Sequence, residues 1–90
     1  MASETRKVCI VNDLGLHLRA AGSLVQLASK FACDVWIEHN HHRANGKSIM
    51  SVLSLAASKG VELTISTEGD GAADAAEAIA HLIAGGFAHE

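Results

Sequence analysis

Two short segments alternate strictly between apolar and polar residues, and this alternation constrains the fold more than any other feature of the chain. From Cys33 to His39, Cys33, Val35 and Ile37 fall on one side and Asp34, Trp36 and Glu38 on the other. From Val61 to Ser66, Val61, Leu63 and Ile65 oppose Glu62, Thr64 and Ser66. A period of two is that of a β-strand. Strands with one polar side leave one face of their sheet in water, the pattern of antiparallel sheets. The helices of such a chain must then cover the other face.

The remaining segments fit that demand. Lys7 to Asn12 is apolar at its centre and predicts a further strand. His42 to Gly46 reads as a short return strand after a turn at Asn40-His41. From Leu18 to Phe31 the period is helical, with Ala21, Leu24, Val25, Ala28 and Phe31 on one face and Arg19, Ser23, Gln26 and Lys30 off it. Ser48 to Ala57 is also helical in character. Gly69-Asp70-Gly71 breaks the chain, and a last helix turns Ala76, Ile79, Ala80, Ile83 and Phe87 inward and Asp74, Glu77 and His81 outward. The expected order is β-α-β-β-α-β-α. This is an α+β open-faced two-layer sandwich, with a four-stranded antiparallel sheet and three helices on one face. Trp36 then covers part of the solvent face. No linker, repeat or low-complexity segment divides residues 1–90, so one domain is expected.

Composition narrows the function. Of 90 residues, 49% are apolar, enough for a single core layer. A net charge of −3 with no basic patch speaks against nucleic acid. No run approaches the ~20 apolar residues of a membrane span. No apolar core follows the charged start of the chain, so no signal peptide is expected and the cytoplasm is the expected compartment. Cys9 and Cys33 form no CxxC and read as reduced, small, buried hydrophobes. His39, His41 and His42 invite a metal. Simple alternation puts His39 and His41 on one side and His42 on the other, which is poor convergence, so they read as a solvated hairpin turn with no metal site. His81 and His89 read as surface or tail residues.

The chemistry gathers at Asn12 to Gly22. His17 follows Gly15 at the start of a helix, with Arg19 two residues on. Gly15 can take positive φ or allow close backbone approach. The helix start offers unpaired N–H donors and the positive end of the dipole, where an anion is stabilised. Arg19 supplies a permanently charged, forked donor for phosphate oxygens. A neutral imidazole is nucleophilic near neutral pH. Phosphoryl transfer needs positioning and charge neutralisation above all, so the constellation suits a histidine that is transiently phosphorylated. Further on, Ser48 is placed as the N-cap of the second helix. That helix is too apolar for one buried face. Of Ile49, Met50, Val52, Leu53 and Leu55, the first two and Leu53 are expected to form an exposed docking patch.

These two segments resemble those of HPr proteins, the histidine-containing phosphocarriers of the sugar phosphotransferase system. Gly15-Leu16-His17-Leu18-Arg19-Ala20-Ala21 is similar to the family's GLHARPA signature, and Lys47-Ser48-Ile49-Met50 to the region of its regulatory serine. Length, element order and motif spacing agree as well. The resemblance implies that His17 accepts a phosphoryl group on Nδ1 from Enzyme I, itself charged by phosphoenolpyruvate. His17 would pass the group to a IIA domain of a sugar permease or to a regulatory acceptor. It implies that Arg19 stabilises the phosphoryl charge and that Ser48 is the target of an ATP-dependent HPr kinase/phosphorylase. Leu18, Ile49, Met50 and Leu53 would form the partner surface. The chain would be a monomeric carrier without cofactor, rather than an independent enzyme. It departs from the family in two places. Ala20 stands where proline pre-organises the helix start, and Leu18 adds bulk beside the histidine. A purely regulatory relative acting through Ser48, with His17 little used, is the first alternative. His17 and Arg19 argue against it, Ala20 and Leu18 weakly for it. A small-molecule or metal-binding module is the second, and the lack of a convergent ligand set argues against it.

Overall fold

The computed structural model describes residues 2–87. The elements are β1 (Ser3–Cys9), α1 (Leu18–Ala28), β2 (Asp34–His39), β3 (His42–Asn45), α2 (Ile49–Leu53), β4 (Glu62–Glu68) and α3 (Ala72–Ala84). The sheet order is β1-β4-β2-β3, and every neighbouring pair is antiparallel. The expected architecture of four antiparallel strands with three helices on one face is what the chain adopts.

Alternation does the sorting. Val35 and Ile37 of β2, Ala44 of β3 and Leu63, Ile65 and Thr67 of β4 are buried on the helix side. Ala20, Ala21, Leu24 and Ala28 of α1, Val52 of α2 and Ile79 and Ile83 of α3 close over them. On the open face, Arg43 of β3 lies over the Trp36 ring at 4.1 Å from its centroid. The indole thus covers part of the wet side, and a cation covers the indole.

Several boundaries differ from the sequence reading, each for a physical reason. β1 spans Ser3–Cys9 rather than residues 7–12. It is an edge strand whose helix-side positions include Glu4 and Arg6, which pair with each other at 2.7 Å, so its first half carries no apolar signal. Cys9 falls on the outer face of β1 and is exposed, whereas Cys33 is buried as expected. α1 stops at Ala28, and two i→i−3 bonds, Lys30 N–H to Leu27 and Phe31 N–H to Ala28, carry Phe31 onto the core outside the helix. α2 ends at Leu53 because Ala56 takes φ +48, and Leu55 and Ala57 reach the core from non-helical backbone. β3 ends at Asn45, one residue early, and β4 runs two residues further, to Glu68. Phe87 is buried but lies beyond α3, at φ +56.

The histidine cluster corrects a facing assignment. Asn40 and His41 both have positive φ and make a two-residue hairpin turn. Such a turn resets the alternation, so His39 and His42 are cross-strand partners on the same side. His42 Nε2 sits 3.1 Å from Ser54 Oγ, joining the hairpin to the end of α2. No group of three metal-ligating side chains converges among the described residues, and no helix there is long and apolar enough to cross a membrane. His89 lies outside the described residues.

Candidate functional site

The loop between β1 and α1 is built to deliver one residue. Ile10 is tied to the entry of β4, its N–H donating to Val61 at 2.9 Å and its carbonyl accepting from Gly60 at 2.8 Å. Asn12 to Gly15 then forms a turn in which Gly15 N–H donates to the Asn12 carbonyl at 3.1 Å. Gly15 adopts φ +65, and a Cβ there would lie 2.7 Å from the Ala57 carbonyl oxygen. Only glycine fits both demands without strain. Leu16, buried, donates its N–H to that same Ala57 carbonyl at 2.9 Å.

His17 follows as the N-cap of α1, with extended backbone (φ −79, ψ 179). Its carbonyl accepts the helical bond from Ala21 N–H at 2.8 Å, so the N–H groups of Leu18, Arg19 and Ala20 precede the first bonded turn. The first turn holds no acidic residue to neutralise them. The residue is half-buried, with Nε2 turned inward and buried. Arg19 is exposed and forms no ion pair among the described residues. An anion-favouring helix start, an imidazole and a guanidinium therefore lie at the same end of α1.

Apolar surface surrounds this point. Leu18 is 66% exposed and Met50 77%, and Ile49 is 39% exposed. A shallow hollow lined by Arg19, Gly22, Val25 and Ile49 joins α1 to α2. Leu53 corrects the expectation of an exposed patch residue: it is half-buried and packs on the core, because the five-residue α2 turns it inward beside Val52. Ser48 caps α2 as expected, its Oγ accepting from Ser51 N–H at 3.3 Å. Lys47, next to it, donates Nζ to the Phe31 carbonyl at 2.7 Å, pinning the exit of α1.

Sequence reasoning missed six residues here. Leu14, 76% exposed, and Val11 extend the apolar surface around the loop, and only their place on either side of polar Asn12-Asp13 pointed to it. Asn12 donates Nδ2 to the Gly15 carbonyl at 2.8 Å; the Asn-x-x-Gly spacing of a turn was its available signal. Ala57 had no signal, because its role depends on a contact across the fold. Asp13 and Lys59 pair at 2.8 Å over the same seam. The hydrogen bond from the ammonium, and then its charge, hold the Asp13 carboxyl below the usual range, and the carboxylate in turn raises Lys59.

Comparison with known proteins agrees with this arrangement. A family profile described as the PTS HPr component phosphorylation site matches residues 4–85. The phosphocarrier protein HPr of Neisseria meningitidis is 46% identical over 78 residues, 87% of this chain and 88% of its own. Among solved structures, an HPr from Thermoanaerobacter tengcongensis superposes with a TM-score of 0.91 at 39% identity, covering 97% of this chain and 98% of that one. The phosphocarrier HPr of Bacillus anthracis gives 0.88 at 38% identity over 92% and 99% of the two chains. On the geometry of the α1 start and on these matches, the chain belongs to the HPr family of histidine-containing phosphocarrier proteins.

Proposed function

We propose that His17 carries the phosphoryl group, taking it from Enzyme I and passing it to a IIA domain or a regulatory acceptor. The observation that carries this reading is the position of His17 at the start of α1, beside exposed Arg19 and without an acidic residue in the first turn. A neutral imidazole attacks through its unprotonated nitrogen. Nε2 is buried, and Nδ1 is the acceptor nitrogen in this reading, as the family resemblance implies. The bond from phosphorus to the donor breaks as the bond to Nδ1 forms, and the ring keeps its proton on Nε2. Arg19 and the N–H groups of the first turn oppose the negative charge of the transferring group.

Leu18, Ile49 and Met50 form the docking surface for these partners in this reading. Apolar surface around a half-buried reactive centre at the protein surface suits protein donors and acceptors rather than a small substrate. Ser48 is the site of regulation. A phosphate on its Oγ would sit at the start of α2, where the helix tolerates it, and place about −2 charge beside Ile49 and Met50. Docking to Enzyme I weakens as a result while the domain stays folded. His17 and Arg19 together favour carriage over a purely regulatory role.

The test is direct. Incubation with Enzyme I and phosphoenolpyruvate should give an acid-labile, base-stable phosphate on the chain, absent from His17→Ala. Retention of the label in that variant overturns the assignment. Ser48→Asp should take phosphoryl more slowly than the parent chain, and an unchanged rate refutes the regulatory part.

A further inference from the structure

We infer that Asn12 is a positioning residue for phosphoryl transfer: it grips Gly15 at both its N–H and its carbonyl, fixing the left-handed turn that aims His17. The inference rests on His17 being the phosphoryl acceptor. Gly15 lies two residues before His17, and glycine has more backbone freedom than any other residue. Left alone it would be the loosest joint in the site. Asn12 removes that freedom with two bonds from one residue, its carbonyl accepting from Gly15 N–H at 3.1 Å and its Nδ2 donating to the Gly15 carbonyl at 2.8 Å. One residue on, Leu16 N–H is held by the Ala57 carbonyl at 2.9 Å. The joint is thus fixed on both sides before the chain reaches His17.

Two further observations give the clamp its weight. His17 is the N-cap of α1 but its side chain makes no capping bond to that helix, so the cap itself does not fix the entry of the chain and the clamp upstream acts on it. Downstream, Ala20 leaves φ unlocked where a proline would fix it. The chemistry of Asn12 also argues against a filler role. Its Oδ1 is buried with no hydrogen-bond partner among the described residues. A buried acceptor of that kind costs stability, and an apolar side chain of similar volume would avoid the cost. What the amide supplies in return is the Nδ2 bond to Gly15. Its service is therefore to geometry, and its removal should be felt in the chemical step rather than in docking, which lies on the apolar surface of Leu18, Ile49 and Met50.

Asn12→Leu keeps the branched shape and drops the bond; Asn12→Ala drops both. Single-turnover transfer from phosphorylated Enzyme I is followed as a function of Enzyme I concentration, with thermal unfolding measured alongside. For Asn12→Leu the maximal rate should fall about tenfold, the worth of one lost positioning hydrogen bond. The half-saturating concentration should stay within about twofold, the split expected when orientation rather than binding is lost. An unchanged maximal rate overturns the inference. So does a loss confined to the half-saturating concentration, or one accounted for by the unfolded fraction. If Asn12→Leu does not fold, the same criteria apply to Asn12→Ala. A parent chain that takes no phosphoryl group on His17 would instead overturn the function proposed above, so the two failures are distinguishable.

Discussion

Replacing Gly15 with alanine tests the geometry of the site most sharply. Alanine at φ +65 enters the left-handed region at a cost of about 1–2 kcal/mol. Its Cβ would also lie 2.7 Å from the Ala57 oxygen and 2.9 Å from the Ser58 Cα. Both are backbone atoms and cannot rotate away, so the 57–58 segment must move. Forcing an extra carbon into packed surroundings costs roughly 1–3 kcal/mol. Moving Ala57 also strains its bond to Leu16 N–H, worth about 1 kcal/mol. Reduced freedom of the unfolded chain returns about 0.4–1 kcal/mol. The net is a loss of about 4 kcal/mol, or a fall in Tm of roughly 16–32 °C for a domain of this size.

Two other glycines separate the causes. Gly60 has φ +92 with open space around it, so Gly60→Ala reports backbone strain alone and should cost about 1–2 kcal/mol. Gly22 sits inside α1 at negative φ with no atom within 4 Å of a Cβ, so Gly22→Ala should stabilise by about 0.5–1 kcal/mol. Urea unfolding followed by circular dichroism measures all three, with the slope m as the check that the unfolded state is unchanged. Gly15→Ala no worse than Gly60→Ala would show that the Ala57 contact contributes nothing, and the account of the loop would fail.

Other outcomes follow from single contacts. Ser48→Ala removes the Oγ acceptor for Ser51 N–H from a helix of five residues, and urea unfolding should show a loss of about 1 kcal/mol. In Lys59→Ala the Asp13 carboxyl loses the hydrogen bond and charge that hold it down, so its NMR titration midpoint should rise toward the usual carboxylate value. By linkage, a depressed Asp13 contributes above its unfolded pKa and stops contributing as pH falls through the folded value; a raised Lys59 stops only as pH climbs past its own. The pair is thus intact across neutral pH, and acid opens it. Met50→Glu puts a charge on an exposed apolar point, so the half-saturating concentration of Enzyme I should rise about fivefold with no change in Tm.

Much of the fold was legible because one face of the sheet is wet. Val35, Ile37, Leu63 and Ile65 alternate with polar residues, and that pattern exists only where half of each strand faces solvent. The unreadable parts are those where burial and sequence part company. Glu4 and Arg6 face the helices from an edge strand and satisfy each other, so no apolar signal marks them. Phe31, Leu55 and Phe87 reach the core from non-helical backbone, and periodicity extends each helix to include them. The two left-handed residues at Asn40-His41 turn His42 to the same side as His39, a reversal that counting by twos cannot reveal.

At the candidate site, the placement of His17 and Arg19 at the start of α1 and of Ser48 as the cap of α2 was legible from residue type and spacing, while the contacts that support them were not. That support is non-local. Gly60 N–H to Ile10, Leu16 N–H to Ala57 and Lys59 to Asp13 tie the stretch before His17 to the stretch that leaves α2. The partners in these ties are more than forty positions apart, so no local pattern announces them. The same short stretch, from Ser54 to Gly60, also holds the His42 contact and the left-handed Ala56. The loop that presents His17 and the helix that begins at Ser48 therefore share one anchor. The bonds that end α2, from the N–H groups of Ser54, Leu55 and Ala56, come directly before the Ala57 carbonyl, and that carbonyl holds Leu16, the residue immediately before His17.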